Sequence, residues 1–363
     1  IPKRDWSSDV CSSDLNENLL MLLAVKLLIS RFKLKKGLII IFLLISSVCL
    51  EVFSQDTIQK RSEYTPDIFG ILKTKAEFDL DNSLMRFEVR NARFGATGKI
   101  NNHMSYKVEI DLSDEGRMKM LDAYIKFIPV SSLSFYLGQK KIPFSTDYMR
   151  NPAENIFANR SFLAKYINDG MRDIGFYAEY GIEGRIPLNF MVAAVNGTGD
   201  NNPQWIEKPN LAGRITAGAE KGFRLTGNVY YGDDAEKKNL AMAGVEIRYT
   251  NGSFFIESEY IRRNWEDSFS VRHNDDGLYI HSYYNFPVQG NMLHLITPVV
   301  RWDMIGESVF RQEVDANRLT FGVNLGFETK QFYSEIRLNY EDYFKSSLPI
   351  HTDKVTLEFI GRF

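Results

Sequence analysis

Cysteine is almost missing from this sequence. Of its 363 residues only Cys11 and Cys49 are cysteines, and both lie near the amino terminus. Disulfide bonds therefore cannot hold the remainder of the chain together, which excludes the class of small disulfide-rich secreted domains.

Charge of one sign is also lacking. The 44 Lys and Arg residues are balanced by 46 Asp and Glu residues, for a formal net charge of −2 at pH 7. Nucleic-acid binding calls for a basic excess, so we expect no nucleic acid among the partners. After Leu50 no apolar run is long enough for a membrane-spanning helix. If the mature chain crosses a membrane, it must do so as a closed β-barrel, which satisfies every backbone group.

Groups suited to catalysis and metal binding are few. His281 and His294 fall on neighbouring predicted strands, but no Ser and Asp are placed with them as a triad requires. No His, Cys and Asp cluster has the spacing of a metal site. The acidic pairs at 233–234 and 275–276 either bind Ca²⁺, bridge lipopolysaccharide or are simply solvated. We expect no enzyme, no cofactor and no resident metal.

The amino terminus carries segments that we leave outside the fold. Residues 1–20 include a stretch that resembles a translated sequencing adapter, and we expect it to be an artefact. Residues 21–55 are predicted to be a signal peptide, because basic residues precede an apolar run at 37–50 that is too short to span a bilayer comfortably. Residues 56–68 would then form a short periplasmic segment.

Cleavage of the signal peptide is expected near Ser54 or Gln55, where small residues precede the cut. An uncleaved anchor is the alternative. Lipidation of Cys49 is disfavoured because Val48 is too large for the residue before a lipidated cysteine.

The last predicted strand of the chain has the pattern of a membrane-spanning β-strand. From 353 to 363 apolar and polar residues alternate, with Leu357 and Phe359 on one side and Thr356 and Glu358 on the other. About ten residues are what a tilted strand needs to cross a bilayer. The terminal Phe363 resembles the signal by which bacterial outer-membrane barrels engage the barrel assembly machinery, so we expect that partner here.

The same pattern recurs along the chain at the spacing of a large antiparallel sheet. A soluble sandwich would alternate in the same way, so periodicity alone does not decide. The sixteen predicted strands are 69–79, 84–98, 104–112, 118–128, 133–144, 172–180, 188–196, 210–218, 223–232, 239–249, 253–263, 277–286, 292–304, 318–327, 332–343 and 353–363.

The lengths of the connections decide between a soluble β-sandwich and a membrane β-barrel. Links after even-numbered strands are short, as at 101–103, whereas most links after odd-numbered strands are long, as at 197–209, 264–276, 305–317 and 344–352. Short turns on one side and long loops on the other are typical of outer-membrane barrels. The sequence therefore predicts an all-β fold over 69–363: a transmembrane antiparallel β-barrel of 16 strands with both termini in the periplasm. Its surroundings would be Gram-negative outer-membrane lipid and lipopolysaccharide.

The third outer loop, residues 145–171, is too long for a simple hairpin. It mixes apolar and charged residues, so it should pack against something. We expect it to fold into the lumen of the barrel and narrow an aqueous channel. An external cap is the alternative.

Several stretches carry a resemblance to a known family. They lie at 86–95, 121–124, 137–145, 159–161, 172–175 and 196–199, and they include Gly-Gln-x-Lys-x-Pro-Phe at 138–144. In this order and spacing they resemble the outer-membrane phosphate-selective porin O/P family. The resemblance implies a usually trimeric, passive channel with an inward-folded third loop and a wall whose Arg and Lys residues attract anions.

Three positions carry over from the family. Arg90 matches the first of two adjacent arginines, Asp122 an acidic residue at the constriction, and Lys141 the lysine near the anion site. Asn91 departs from the pattern because it replaces the second arginine. One charge-assisted donor fewer weakens the case for phosphate selectivity.

Strand parity tests these assignments. Arg86 and Arg90 share the lumen side, but Arg93 would face lipid unless a bulge near Asn91 turns it inward. On the fifth strand, Leu133, Phe135 and Leu137 look lipid-facing. That pattern places Lys140 in the lumen and Lys141 outside, unless Gly138 marks a bulge, so both lysines remain candidates. The pore-lining candidates are therefore Arg86, Arg90, Arg93, Asp122, Lys140, Lys141, Arg160 and Arg172.

The functional expectation is a passive porin for small hydrophilic solutes, with small anions such as phosphate favoured. Two alternatives stay open. One is a poorly selective general pore, which the net charge and Asn91 favour. The other is a non-conducting barrel whose loops serve adhesion or assembly.

Overall fold

The computed structural model describes residues 64–363, apart from 115–116, 168–171, 235, 312, 329–332 and 348–351. The adapter-like stretch, the signal peptide and most of the segment at 56–68 lie outside the described residues. Within this part of the chain no helix combines the length and apolar character needed to cross a membrane.

Nearly all of the described chain is antiparallel strand. The strands are β1 (Asp67–Asp79), β2 (Leu84–Asn101), β3 (Met104–Asp114), β4 (Arg117–Val130), β5 (Leu133–Lys141), β6 (Arg172–Ile182), β7 (Leu188–Val195), β8 (Asn210–Ala217), β9 (Gly222–Gly232), β10 (Lys238–Asn251), β11 (Phe254–Glu266), β12 (Arg272–Tyr284), β13 (Phe286–Pro287), β14 (Leu295–Ser308), β15 (Glu313–Glu328), β16 (Tyr333–Ser346) and β17 (Lys354–Arg362).

The sheet closes on itself. Apart from the two-residue strand β13, which pairs only with β14, each strand pairs with its neighbour, and β12 pairs directly with β14. β1 and β17 pair along nine residues, from Ile71 opposite Arg362 to Asp79 opposite Lys354. The result is a closed 16-strand antiparallel barrel, which confirms the predicted fold class.

Inward and outward faces alternate as expected. On β17 the Thr356 and Glu358 side chains are fully buried, whereas the next residue, Phe359, points outward and is 48% exposed. On β1, Lys73 and Lys75 are buried and Leu72 is exposed. These strands thus have a polar inner face and an apolar outer face, the arrangement that a bilayer requires.

Some predicted boundaries were wrong. β5 ends at Lys141 rather than at 144, because Pro143 has no N–H for the ladder and the chain turns inward there. The predicted loop at 264–276 is mostly strand, since β11 and β12 extend to Glu266 and Arg272. Polar cross-strand pairs stabilise that extension, as Arg263 does with Asp275. The predicted loop at 305–317 is likewise largely strand.

A bulge near Asn91 is present as predicted. Lys73 pairs with Asn91 and Thr74 with Val89, so Arg90 is an extra residue on β2. The shift turns the Arg93 guanidinium towards Glu109 and Asp111 on the inner face. It also turns Phe94 outward, where 45% of it is exposed.

The barrel seam joins the last residue of the chain to β1. The Gly70 N–H donates to the Phe363 carbonyl at 3.1 Å, and the Phe363 N–H donates to the Gly70 carbonyl at 3.2 Å. The Phe363 ring occupies the space that a side chain at residue 70 would need. Glycine at 70 therefore lets the terminal ring cover the seam.

Deleting Phe363 should lower the yield of folded barrel several-fold, because the two Gly70–Phe363 hydrogen bonds and the ring contact are lost at the end of the seam between β1 and β17. The change should be visible as loss of the heat-modifiable band on an unheated gel. Phe359→Ala, on the lipid side of the same strand, is the matched control and should fold nearly normally. Equal yields for deletion and control would contradict a closing role for Phe363. Molecules that do fold should conduct like the unmodified protein.

Candidate functional site

The connection after β5 contains the short helix α1 (Thr146–Met149) and a π-helical turn, Leu163–Ile167. We call residues 145–167 the inner segment. Its backbone reaches side chains of distant strands: Thr146 N–H donates to Glu259 on β11 at 2.6 Å, and Phe162 N–H donates to Asp303 on β14 at 2.9 Å. β11 and β14 lie across the barrel from β5, so the inner segment crosses the interior.

Wall cations bind the carbonyl groups of the inner segment. Arg301 donates to the Asn159 carbonyl at 3.0 Å, and Arg318 donates to the Arg160 carbonyl at 3.0 Å. Arg337 donates to the Ala153 carbonyl at 3.2 Å. Irregular backbone in a barrel interior needs such partners, because an unpaired buried carbonyl is costly. Charged side chains of the wall therefore hold the segment in place.

The apolar residues of the inner segment pack away from solvent. Phe157, Phe162 and Leu163 are at most 1% exposed. Leu163 and Ile167 belong to a buried cluster that also includes residues of β5 to β12, β14 and β15. Packing fills that part of the interior, so open space remains mainly beside β1 to β4, with single residues of β5, β6 and β15 to β17 at its edge.

That space is a cavity of about 830 Å³, here called the outer cavity. Among the described residues that line it, twelve are cationic and three are acidic. The acidic residues are Glu88, Asp111 and Asp200. The cationic residues are Lys73, Lys75, Arg86, Arg90, Arg93, Lys119, Lys141, Arg160, Lys165, Arg172, Arg318 and Lys354. The lining itself thus has an excess of cations, although the chain is slightly negative and carboxylates just behind the lining, such as Glu77 and Asp122, pair with part of them.

Arg86 and Arg90 line the outer cavity with largely open side chains. Their side chains are 65% and 51% exposed. Arg86 pairs with Glu77 and lies 3.6 Å from Glu88, while Arg90 lies 3.9 Å from Glu88. These guanidinium groups keep donors that face open space.

Arg93 and Arg172 also line the outer cavity, but acidic neighbours hold them. Arg93 contacts Glu109 at 3.3 Å and Asp111 at 3.0 Å. Arg172 donates to Asp122 at 2.9 Å. Asp122 is not itself part of the cavity lining; it holds Arg172 and, at 2.7 Å, Lys107.

Both candidate lysines of β5 reach interior groups. The Lys141 ammonium donates to the carbonyls of Tyr148, Met149 and Arg150 at 2.9, 3.1 and 2.7 Å. The Lys140 ammonium lies 3.6 Å from the ring centroid of Tyr136. The pairing of β5 with β4 and with β6 runs through Gly138 without a register shift. A bulge at Gly138 therefore does not explain why both lysines reach the interior. Lys141 lines the outer cavity and Lys140 does not.

Arg160 belongs to the inner segment and stabilises it through hydrogen bonds to its own backbone. Its guanidinium donates to the Asp147 carbonyl and, at 3.0 Å, to the Arg150 carbonyl. Burial lowers the pKa of Arg160. Burial alone would raise the pKa of Asp147, but Arg160 and Arg150 outweigh it and hold that pKa below its usual value. Asp147 therefore stays charged near neutral pH.

Sequence reasoning missed part of the cavity wall. Lys73 and Lys75 on β1, Arg318 on β15 and Lys354 on β17 line the outer cavity but were not predicted. Their parity on each strand would have placed them in the lumen. Only the path of the inner segment, which a periodicity argument does not give, decides which lumen residues face open space.

A closed barrel of this size with a charged interior and an internally packed outer connection is the architecture of a porin. Residues 74–205 match the sequence model of the family described as phosphate-selective porin O and P, which confirms the family resemblance. The match to this family's model and the fold support an outer-membrane location and a channel rather than an enzyme.

Solved structures show the same fold at low identity. The chain is similar to the anion-selective porin from Comamonas acidovorans, with TM-score 0.58 and 10% identity over 83% of this chain and 99% of that one. It is similar to OmpT of Vibrio cholerae in its trimer form, with TM-score 0.56 and 14% identity over 82% and 99%. The channel DcaP of Acinetobacter baumannii gives TM-score 0.54 and 12% identity over 84% and 98%. No curated protein matched the chain.

Proposed function

We propose that the protein is a passive outer-membrane porin that favours small anions, phosphate among them. The observation that carries the proposal is the lining of the outer cavity, with twelve cationic residues against three acidic ones among those described. A passage bounded on one side by the inner segment and lined by this charge lowers the cost of bringing an anion out of water. The family match and the similarity to the anion-selective porin of Comamonas acidovorans point the same way.

The cationic residues divide into two roles in this proposal. Arg86 and Arg90 have open side chains, so their donors can exchange water for an anion. Arg93 and Lys141 are tied to carboxylates or carbonyls, so they supply positive potential without releasing their partners. A pore residue must bind the anion and also release it. Side chains exposed to water can do both, because water replaces the anion when it leaves.

The test is conductance in a planar bilayer. We expect stepwise single-channel currents and, across a KCl gradient, a reversal potential that favours chloride over potassium. Added phosphate should reduce the chloride current. Absence of stepwise current would favour a non-conducting barrel with adhesive or assembly loops. A cation-favouring reversal potential without phosphate block would contradict the anion proposal, and an unselective current would favour a general pore.

Replacing both open arginines, as Arg86→Gln with Arg90→Gln, should lower the chloride-to-potassium permeability ratio several-fold. The strands should remain intact, because both side chains are mostly exposed. Arg272→Gln is the control, since Arg272 is 84% exposed and is not among the residues lining the outer cavity. An unchanged ratio in the double variant would show that neither arginine contributes to selectivity.

Assembly and surroundings belong to the same proposal. The trimer form of the Vibrio structure and the family resemblance support a homotrimer. The exposed apolar outer face would meet outer-membrane lipid and lipopolysaccharide, and the strand ending at Phe363 would engage the barrel assembly machinery. A detergent-resistant band at three times the monomer mass, lost on heating, is the expected observation.

A further inference from the structure

The barrel wall has an opening between β2 and β3 at its outer end. β2 pairs with β1 from Leu84 onward, but its pairing with β3 begins only at Arg93, opposite Asp111. β3 turns back into β4 shortly above that level. Among the described strands, none pairs with the other side of residues 84–89. We call the space between residues 84–89 and the tip of the β3–β4 hairpin, residues 112–114 and 117–119, the wall gap.

Apolar side chains border the wall gap on the outside of the barrel. Phe87 is 78% exposed, whereas Phe94, further along the same face of β2 where β3 pairs, is 45% exposed. Met118, across the gap on β4, is 71% exposed. Val89 and Leu112 are exposed as well. The missing neighbour strand therefore leaves a rim of apolar surface uncovered.

The outer cavity extends to both borders of the wall gap. Phe87 and Val89 line it on the β2 side, and Ser113 and Lys119 line it on the side of the hairpin. Lys119 pairs with Asp200 at 2.9 Å, yet its side chain stays 41% exposed. The positive charge of the interior and the apolar surface of the exterior therefore meet at one place.

The unpaired strand edge limits what can fill the wall gap. Every second residue of an antiparallel strand directs its N–H and C=O to the same side, so residues 84–89 offer about three donors and three acceptors there. Hydrocarbon cannot satisfy such groups, and sheet edges are not exposed to acyl chains alone. An occupant other than water must therefore combine hydrogen-bonding groups with an apolar part that covers Phe87 and Met118.

The gap lies near the surface of the outer leaflet. Residues 84–89 directly follow the outer turn between β1 and β2. At roughly 3.3 Å per residue and a tilt of about 40°, they descend about 15 Å from that turn. On the opposite border the cations Arg117 and Lys119 flank Met118, and Arg117 is exposed. Cations on either side of an apolar residue match a lipid whose headgroup is anionic.

We propose that the wall gap is a binding site for lipid A, the phosphorylated and acylated glucosamine disaccharide that anchors lipopolysaccharide. Its phosphates accept charge-assisted hydrogen bonds from Arg117 and Lys119. Its sugar hydroxyls and phosphate oxygens pair with the open edge of residues 84–89, and its acyl chains lie on Phe87 and Met118. The inference rests on the proposed outer-membrane surroundings and is independent of anion selectivity.

Protection of a cysteine at residue 87 tests the site. Cys11 and Cys49 are the only cysteines of the chain, so Phe87→Cys is made after both are replaced by serine. In detergent, added bisphosphorylated lipid A should slow the reaction of this thiol with a maleimide at least several-fold. Lipid A stripped of phosphate, or inorganic phosphate alone, should slow it much less. Phe94→Cys, where β3 completes the wall, is the matched control and should respond equally to both lipids.

Removal of the two cations provides an independent measurement. Arg117→Gln with Lys119→Gln should lower several-fold the lipid A that stays bound to protein purified from outer membranes, as counted by native mass spectrometry. The same change should remove the difference between the two lipids at Phe87→Cys. Arg272→Gln, which replaces an exposed cation on β12, is the control and should retain lipid A like the original. A heat-modifiable band on an unheated gel checks that each variant folds.

Three results would overturn the inference. Equal protection by both lipids would show coverage by acyl chains without recognition of the headgroup, and equal protection by inorganic phosphate would show an anion site only. A thiol that is protected without lipid in the assembled protein, and reacts once the copies separate, would show that a second copy covers the gap.

Failure of this inference is distinguishable from failure of the proposed function. If lipid A protects the thiol through its phosphates in a protein that conducts no anions, the proposed function fails and the lipid site stands. If the channel is anion-selective but protection does not depend on the lipid phosphates, only the lipid site is overturned.

Discussion

Replacing residues 147–166 by a short Gly-Ser linker should raise single-channel conductance several-fold and weaken or reverse anion selectivity. Conductance rises because the inner segment, whose Phe157, Phe162 and Leu163 are almost fully buried, occupies much of the interior. A 16-strand barrel without it is wide enough for an aqueous channel.

Selectivity should change because the segment covers acidic wall residues. Glu259 and Asp303 accept hydrogen bonds from its backbone, and both are fully buried behind it. Removing it exposes these carboxylates to water and takes Arg150, Arg160 and Lys165 out of the interior. The barrel itself should remain folded, since closure depends on strand pairing rather than on the segment.

Reversal potentials and single-channel currents of the deletion measure both effects. The matched control shortens an outer connection that does not enter the cavity lining, residues 267–271 between β11 and β12. That variant should keep the original conductance and selectivity. A deletion of 147–166 that conducts and selects like the original would contradict a role of the inner segment in narrowing the pore.

Sequence periodicity predicted the barrel well because each strand has one face in lipid. The bilayer requires alternation of apolar and polar residues over the whole strand, as with Leu357 and Phe359 against Thr356 and Glu358. A single sequence therefore shows the pattern. This alternation does not predict where a strand ends once it has left the membrane. β11 and β12 continue past the predicted ends because water-side pairs such as Trp265 stacked on His273 stabilise a hairpin without lipid.

The site was predictable only in part. Arg86, Arg90, Arg93 and Arg172 follow from parity and resemblance, and they do line the outer cavity. Partners such as Arg318 could not be read from the sequence, because they depend on where the inner segment crosses the barrel. Its path is set by long-range contacts, such as Ala158 N–H to Asn339, more than a hundred positions apart along the chain.

Net charge was a poor guide for the same reason. The value of −2 weighed against an anion path, yet many buried wall carboxylates lie behind the inner segment or in ion pairs. Glu341, for example, is fully buried and pairs with Arg318 at 3.2 Å. Carboxylates that are paired or covered do not contribute to the potential of the cavity as open cations do.

Arg318→Met should destabilise the folded barrel by about 3–5 kcal/mol, because it breaks two buried ion pairs and leaves each carboxylate with only a longer one. Asp303 keeps Arg301 at 3.6 Å, and Glu341 keeps Lys354 at 3.4 Å. Arg318 is 3% exposed, pairs with Asp303 at 2.6 Å and with Glu341 at 3.2 Å, and donates to the Arg160 carbonyl. Methionine fills similar space but leaves Asp303, which is fully buried, without its closest cation. Thermal unfolding in detergent should show the change as a lower Tm, and a loosened inner segment should make open-channel current noisier.

The double variant Asp303→Asn with Arg318→Met separates charge from packing. Neutralising both partners removes the buried charge that lost its closest cation, so the double variant should be more stable than Arg318→Met alone. With Asp303→Asn as the second single variant, the cycle measures the coupling of the two side chains. Arg272→Met is the control, because its ion pair with Glu266 is exposed and such pairs contribute little. If Arg318→Met unfolds at the same temperature as Arg272→Met, the buried ion pairs do not hold the inner segment. The barrel wall would then depend on strand pairing alone, and the segment would stay in place through its apolar packing around Phe162.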